Sequence, residues 1–256
     1  MVPDAKKLIR LMPIIGLNLD QQMRIREIRN QEAVRKWMYT DHIISVTEHL
    51  DWINRLKSDI HQIVFAVIFD GETDPIGMVS INAINHHHRR ADWAFYLSEA
   101  MAGKGIGSAL AYAAIEFAFT GLGLEKLNCE AIEGNDLVLR LYEKFLLEEE
   151  GFRWSNIIKN GKRIGVHFMG VTAEEWNKNK PEKPDRYEII FDTHLKAQSS
   201  DSIIDRIESA RSRNNLNWMN VLRLALDKAP ETALAVIEEI HKTDAEINQL
   251  SGELFK

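Results

Sequence analysis

Three glycines at alternate positions form a stretch that is suited to holding a phosphate group. Gly103, Gly105 and Gly107 are separated by Lys104 and Ile106, and a glycine exposes its backbone N–H group with no Cβ in the way. An apolar periodicity typical of a helix begins at Ile106. The start of a helix adds unpaired N–H donors and the positive end of the helix dipole. The stretch therefore predicts a phosphate or pyrophosphate site.

The spacing of this loop differs from two common phosphate-binding motifs. In a P-loop the lysine is followed by Ser or Thr, whereas Lys104 is followed by Gly105. In a Rossmann fingerprint a third glycine stands at the position that Ser108 occupies. An ordinary glycine-rich turn stays open as an alternative when this loop is considered alone.

Two predicted strand–helix units carry the residues that could do chemistry. Residues 92–97 are rich in aromatic side chains and predict a strand that leads into the loop, and residues 106–119 predict the helix after it. Residues 126–132 predict a second strand, and residues 135–144 predict a second helix that carries Tyr142. The order of these elements predicts an α+β domain.

The two units resemble the signatures of the GNAT acetyltransferase superfamily. Residues 102–107 are similar to its acetyl-CoA pyrophosphate loop, although Ala102 replaces the usual Gln or Arg. Residues 135–144 are similar to its second signature, Asn-x-x-x-x-x-Leu-Tyr-x-Lys, and Gly151-Phe152 follows after an insertion of about one helical turn. The resemblance implies the α+β GNAT fold, a central mixed and mostly antiparallel sheet flanked by helices. A small helical C-terminal tail follows.

The resemblance also implies acetyl-CoA as cosubstrate and direct acetyl transfer to a primary amine. Tyr142 matches the tyrosine that gives a proton to the leaving thiolate, although a half-buried helix aromatic would explain it too. A cofactor role for Asn135 competes with an ordinary N-cap. A backbone N–H near Leu97 is expected to bind the oxyanion. The residues expected to bind the cofactor are Leu97, Gly103, Lys104, Gly105, Ile106, Gly107, Ser108 and Asn135.

Residues 29–53 resemble the flagellar nucleotide-sugar N-acetyltransferases of pseudaminic acid synthesis. The shared elements are an Arg-Asn pair, a Met shortly before Thr-x-His-Ile, and Glu-His-Leu. The departures are the missing Trp before Arg29, an N-terminal extension and the tail. The acceptor is then the 4-amino group of a UDP-linked 4-amino-4,6-dideoxy sugar. The residues expected to bind this substrate are Arg29, Asn30, Met38, Tyr39, His42, His49 and Trp52.

These residue types suit a nucleotide sugar. Arg29 is able to pair with a phosphate, and Trp52 offers a flat face to a base or sugar. His42 and His49 titrate near neutrality, so they are expected to orient hydroxyls or relay the amine proton, beside Tyr142 as the third catalytic residue. Structural histidines are the alternative. The general base stays open, with Asp92 as a nearby carboxylate.

Two other functions stay open at this point. One is a protein N-terminal or small-amine acetyltransferase of the same fold. The other is a non-catalytic acetyl-CoA-binding module in which the C-terminal tail is the interaction element. A fold alone does not separate these alternatives.

The composition narrows the class of protein. A formal net charge of −6 argues against a nucleic-acid partner. The sequence contains no run of 18 apolar residues, so no membrane span is predicted. The single Cys129 excludes a disulfide framework, and a cytoplasmic protein is expected. The adjacent His86, His87 and His88 alternate sides in an extended chain, so no metal site is predicted.

The expected domain organisation has four parts. An N-terminal extension covers residues 1–22, the acetyltransferase domain residues 23–176, a charged, proline-containing linker residues 177–198, and the helical tail residues 199–256. The tail is expected to mediate homo-oligomerisation or to bind a partner protein. Alternating polar and apolar residues at 23–28 suggest a first strand or a strand–helix junction, and residues 31–38 suggest a helix.

Overall fold

A mixed sheet of eight strands organises the computed structural model, which describes residues 6–192. The strand order is β6-β7-β5-β4-β3-β2-β1-β8, and only the β4–β5 and β1–β8 pairs are parallel. The strands are β1 (Lys7–Pro13), β2 (Ile63–Phe69), β3 (Gly77–Asn85), β4 (Arg90–Leu97), β5 (Lys126–Ile132), β6 (Glu148–Lys159), β7 (Lys162–Thr172) and β8 (Tyr187–Phe191).

Six α-helices accompany these strands within the described part of the chain, residues 6–192. They are α1 (Leu19–Asn30), α2 (Glu32–Arg35), α3 (Val46–Leu56), α4 (Ile106–Glu116), α5 (Asp136–Lys144) and α6 (Ala173–Asn179). A π-helical turn, Phe117–Gly121, extends α4, and short 3₁₀ turns cover Ile14–Gly16 and Glu99–Met101. Within residues 6–192, no helix is long and apolar enough to cross a membrane.

The two faces of the sheet bury two separate apolar clusters. One cluster joins α4, α5 and α6 to the strands, with Leu110, Phe145 and Trp176 among its fully buried side chains. The other cluster packs Ile25 of α1 and Ile53 of α3 against the opposite face. Successive strand residues point to opposite faces, so the same sheet packs against helices on both of its faces.

The prediction of a first strand or a strand–helix junction at residues 23–28 is wrong, because these residues lie inside α1. A capping box between Asn18 and Gln21 starts this helix before the alternating segment is reached. Ile25 and Ile28 are both fully buried, and residues three apart share one helix face. The polar–apolar alternation was therefore equally compatible with a helix.

The sheet extends beyond the expected limits of the domain. Strand β1 lies within the expected extension, and it pairs with β2 because Ile9 and Leu11 are buried in the core. The expected linker contains the end of α6 and the edge strand β8, which pairs with β1. The range 23–176 thus omits two strands. The expected tail, residues 199–256, lies outside the described residues, so its helices stay a prediction.

Candidate functional site

A wedge opens in the sheet between β4 and β5. The two strands pair over only three positions, the last of which joins Asp92 to Asn128. Beyond this point β4 stays bonded to β3 as far as Leu97, and β5 stays bonded to β7 as far as Ile132. Beyond Asp92 and Asn128, the edges of β4 and β5 that face each other across the wedge therefore have no strand partner. Such an edge is able to hydrogen-bond an extended ligand.

Tyr142 lies at the apex of this wedge. Trp93 and Cys129 are the first residues beyond the last paired positions, and the Tyr142 ring lies 5.7 Å from that of Trp93. The side chain of Tyr142 is only 4% exposed. Burial, together with a hydrogen bond to Cys129, raises the pKa of Tyr142 well above its usual value. The phenol consequently keeps its proton at neutral pH and is able to donate it.

The glycine loop has the geometry of an anion cradle. Gly103 and Gly105 adopt φ values of 71° and 80°, and no atom lies within 4 Å of a Cβ built on either residue. Helix α4 begins at Ile106 without a side-chain cap. Within residues 6–192, no protein acceptor pairs with the N–H groups of residues 103–108. These donors fit the pyrophosphate of acetyl-CoA.

A tyrosine from the expected linker holds this loop. The Tyr187 hydroxyl donates a hydrogen bond of 3.0 Å to the main-chain carbonyl of Lys104, and Tyr187 is 4% exposed on β8. The contact fixes the loop carbonyl and leaves the neighbouring N–H groups free. Sequence reasoning missed this residue, although four of the five residues at 187–191 are aromatic or β-branched, the types that strands favour.

Asn135 occupies the N-cap position of α5 without capping it. Its side chain makes no cap hydrogen bond, whereas its backbone N–H donates to the Ile132 carbonyl at 3.1 Å. The N-cap explanation for Asn135 therefore lacks the hydrogen bond that defines a cap. Contact between this amide and the cofactor stays a prediction.

A cavity of about 240 Å³ lies beside the sheet between α1, α3 and strands β3 and β4. Of the residues expected to bind the acceptor, Arg29, His49 and Trp52 line it. Sequence reasoning missed the other residues of the lining, because they come from separate elements. These are Ile44, Glu48, Arg55, Met78 and Tyr96.

Arg29 brings an unpaired cationic nitrogen to this region. Its Nη2 donates a 2.5 Å hydrogen bond to Thr40 Oγ1, while its Nη1 is buried and has no partner within residues 6–192. Burial lowers the pKa of Arg29, but a guanidinium starts so high that it stays charged at neutral pH. A buried donor without a partner is costly, so a ligand acceptor at this point would be favourable.

His42 and Glu48 form a pair at the edge of the cavity. His42 Nε2 lies 3.1 Å from both carboxylate oxygens of Glu48, and this contact lowers the pKa of Glu48. Glu48 lines the cavity, whereas the side chain of His42 is 54% exposed. The pair thus connects the cavity to solvent.

Asn30, Met38 and Tyr39, which were also expected to bind the acceptor, do not line this cavity. Asn30 uses its amide to hold the backbone of Ile44, with bonds of 2.9 and 3.0 Å. The Tyr39 hydroxyl donates to the carboxylate of Glu130, and the Met38 carbonyl accepts a hydrogen bond from the buried Lys159 ammonium. The predicted helix over residues 31–38 is only the four-residue α2. The chain after α2 is therefore fastened to β5 and to the β6–β7 hairpin.

His49 is buried and hydrogen-bonded to the backbone. Its Nε2 lies 2.9 Å from the Gln22 carbonyl oxygen, its exposure is 4%, and burial lowers its pKa. This bond fits the structural alternative for His49. A part for His49 or His42 in proton transfer stays a prediction.

The lowered pKa of His49 predicts a loss of stability in acid. The folded protein keeps His49 neutral, whereas the unfolded chain binds a proton below about pH 6.5. Because the unfolded state then binds more protons, the free energy of unfolding should fall as the pH drops from about 7 to 5. Urea unfolding of His49→Gln should show a shallower fall, and the exposed His88→Gln should keep the wild-type slope. Equal slopes in all three proteins would contradict the burial argument.

Comparisons with known proteins agree with this geometry. A family model described as "Acetyltransferase (GNAT) domain" matches residues 16–145. The chain is 28% identical over 152 residues to spermidine N(1)-acetyltransferase of Escherichia coli (strain K12), covering 59% of this chain and 81% of that protein. It is 25% identical over 159 residues to the putative ribosomal N-acetyltransferase YdaF of Bacillus subtilis (strain 168), covering 60% of this chain and 85% of the relative.

The fold is also similar to a solved structure. Spermidine N-acetyltransferase from Vibrio cholerae, in complex with CoA and spermine, superposes with a TM-score of 0.61 and 24% sequence identity. The superposition covers 66% of this chain and 98% of that chain.

Proposed function

The chain belongs to the GNAT acetyltransferase family, and we propose that its acceptor is the 4-amino group of a UDP-linked 4-amino-4,6-dideoxy sugar. The α+β fold and acetyl-CoA as cosubstrate are confirmed predictions. The protein is an acetyl-CoA-dependent N-acetyltransferase. The observation that carries the choice of acceptor is the buried Nη1 of Arg29, which has no partner within the described residues.

The charges of the cavity support an acceptor that carries an anionic group. Its lining includes two guanidinium groups, from Arg29 and Arg55, and one carboxylate, from Glu48. That carboxylate is already paired with His42. A polycation would need unpaired carboxylates, whereas a diphosphate would supply an anionic acceptor for the Nη1 donor of Arg29.

The size and the apolar lining suit a sugar ring. A volume of about 240 Å³ lies below the roughly 300 Å³ at which pockets for drug-sized ligands begin, so the nucleotide would extend outside. Trp52 offers a flat ring face. Met78, rather than the predicted Met38, supplies an apolar surface for the 6-methyl group. The resemblance of residues 29–53 to the nucleotide-sugar enzymes supports the same acceptor.

Each step of acetyl transfer has its own residues in this proposal. Acetyl-CoA supplies an acyl group activated as a thioester. The loop N–H groups hold its pyrophosphate, and the N–H groups at the end of β4, near Leu97, stabilise the oxyanion. The amine attacks as the neutral base, and the His42–Glu48 pair accepts its proton and passes it to solvent. Tyr142 gives its phenolic proton to the departing sulfur.

A small amine is the second candidate acceptor. The named relatives include spermidine N(1)-acetyltransferase, and Glu48 places one carboxylate in the cavity. A protein N-terminus is a further possibility, since another relative is a putative ribosomal N-acetyltransferase. These acceptors would not use the unpaired Arg29 nitrogen.

Replacing Arg29 by alanine tests the acceptor. Hydrogen bonds to charged groups contribute about 1.5–3 kcal/mol, so Arg29→Ala should lower kcat/KM for the UDP-linked amino sugar about 10- to 100-fold. Acetyl transfer would be followed by release of the CoA thiol, with the amino sugar, spermidine and a ribosomal N-terminal peptide as acceptors. The matched control is Arg24→Ala, since Arg24 lies on the same helix in an exposed pair with Glu27.

The outcomes of this assay are distinct. The proposal expects the amino sugar to be the best acceptor for the wild type and Arg24→Ala to be unchanged. Faster turnover of spermidine or the peptide, with no effect of Arg29→Ala, would replace the proposed acceptor by the corresponding alternative.

A further inference from the structure

Gln31 connects the acceptor side of the molecule to the glycine loop. It lies between α1 and α2, and its side chain reaches across to the residues that follow β4. Its Oε1 accepts a hydrogen bond of 3.0 Å from the N–H of Glu99. Its Nε2 donates to Ser98 Oγ at 3.4 Å. One amide group thus contacts two consecutive residues of the segment that leads to the glycines.

The position of Gln31 is fixed by the acceptor side. Its backbone N–H closes the end of α1 through a 3.1 Å bond to the Ile28 carbonyl. The two preceding residues are Arg29, which lines the cavity, and Asn30, which holds the cavity residue Ile44. Any shift of the cavity wall at this turn is therefore transmitted to the Gln31 amide.

The position of Ser98 is fixed by the sheet. Ser98 directly follows Leu97, the last residue of β4, and its N–H donates to the Ile76 carbonyl at 2.8 Å. It is 5% exposed, so its hydroxyl has little access to water. After Ser98 the chain turns through Glu99–Met101 toward the glycines. Gln31 therefore contacts the chain where the strand ends and the loop begins.

We propose that Gln31 is a positioning residue for acetyl transfer. It fixes the position of the N–H groups at the end of β4 relative to the acceptor cavity. The thioester carbonyl bound by these N–H groups and the attacking amine then meet at the required distance and angle. Misplacement of reacting groups by about an ångström is enough to slow a reaction strongly. Gln31 acts through Ser98 and Glu99, and its role does not depend on which amine is the acceptor.

Substitution of Gln31 should affect kcat rather than binding. Gln31→Met keeps the length of the side chain but removes both hydrogen bonds, and kcat should fall about tenfold. KM for acetyl-CoA and the affinity for CoA, measured by calorimetry, should stay within about threefold, because the glycine loop itself is intact. Gln31→Glu still accepts from Glu99 N–H and from the Ser98 hydroxyl, so it should restore most of kcat.

Two further variants distinguish a specific effect of Gln31 on kcat from a general loss of stability. Gln62→Met removes a comparable amide, which bonds to Asn82, and it should leave kcat unchanged. Ser98→Ala removes one bond from the opposite side and should lower kcat about threefold. It also provides the measurement if Gln31→Met does not fold.

The kinetics use the UDP-linked amino sugar, spermidine or the ribosomal N-terminal peptide, whichever the wild type acetylates. If it acetylates none of them, the proposed acceptors fail, and Gln31 is tested on the slow hydrolysis of acetyl-CoA, where the displaced thioester carbonyl should cause the same tenfold loss. A selective loss of kcat with rescue by Gln31→Glu supports the proposal. An unchanged kcat, a loss confined to CoA affinity, or an equal loss in Gln62→Met overturns it.

Discussion

Gly105→Val is expected to abolish detectable acetyl-CoA binding while the protein stays folded. The backbone of Gly105 has a φ of 80°, and its Cβ would point into open space beside the start of α4. That space lies in front of the N–H groups that fit the pyrophosphate, so a branched side chain would keep the phosphates from their donors. The loss of several charge-assisted hydrogen bonds should weaken binding by at least about 10²-fold.

The matched control for this variant is Gly71→Val. Gly71 also has a positive φ, 82°, and open space around its Cβ, but it lies in the turn after β2. Both variants therefore carry the backbone strain of a β-branched residue at positive φ, and only one blocks the loop. Calorimetric titration with CoA, beside melting curves, separates strain from blocking. Wild-type CoA affinity in Gly105→Val would show that this loop does not hold the cofactor.

Tyr142→Phe is expected to slow turnover by about 10²-fold or more with little change in substrate binding. The ring packs against Trp93 at the apex of the wedge, and phenylalanine keeps this packing while it removes the O–H. Loss of one acid–base group costs about 10²- to 10⁴-fold, and 10²-fold corresponds to a barrier increase of about 2.7 kcal/mol. The loss should appear in kcat and not in KM, since the proton moves only in the transition state.

The pH dependence gives a second measurement of the same role. Because burial raises the pKa of Tyr142, the wild-type rate should not decline up to about pH 9.5 through loss of this proton. The control is Tyr112→Phe, which changes a tyrosine of α4 that packs against Trp176. If Tyr142→Phe turns over at the wild-type rate when chemistry limits, another group protonates the sulfur.

Local patterns in the sequence were enough to predict the glycine loop and the two helices that follow it in the chain. The glycine loop and the start of α4 lie within about ten residues of each other, and the structure places them as expected. Local backbone preferences decide such a unit: glycine permits the positive φ of Gly103 and Gly105, and the apolar periodicity then starts a helix. The helix that carries Tyr142 was predicted for the same reason.

The acceptor side depended on contacts between distant parts of the chain. The cavity combines residues from α1, α3, β3 and β4, so the spacing of residues 29–53 did not reveal that Met38 and Tyr39 lie outside it. Tyr39 is held by Glu130, which is 91 positions away. A short helix such as α2 has too few residues for its own pattern to fix the direction of the chain that follows.

The sequence by itself thus determined the family, the fold class, the cosubstrate and the local structure of the glycine loop and the helix after it. Only the tertiary structure decided that Tyr187 supports Lys104, that Gln31 reaches Glu99, and that residues 7–13 and 187–191 complete the sheet. The physical reason is the range of the interactions. Turns and helices follow from neighbouring residues, whereas strand pairing and side-chain hydrogen bonds depend on which distant surfaces are buried together.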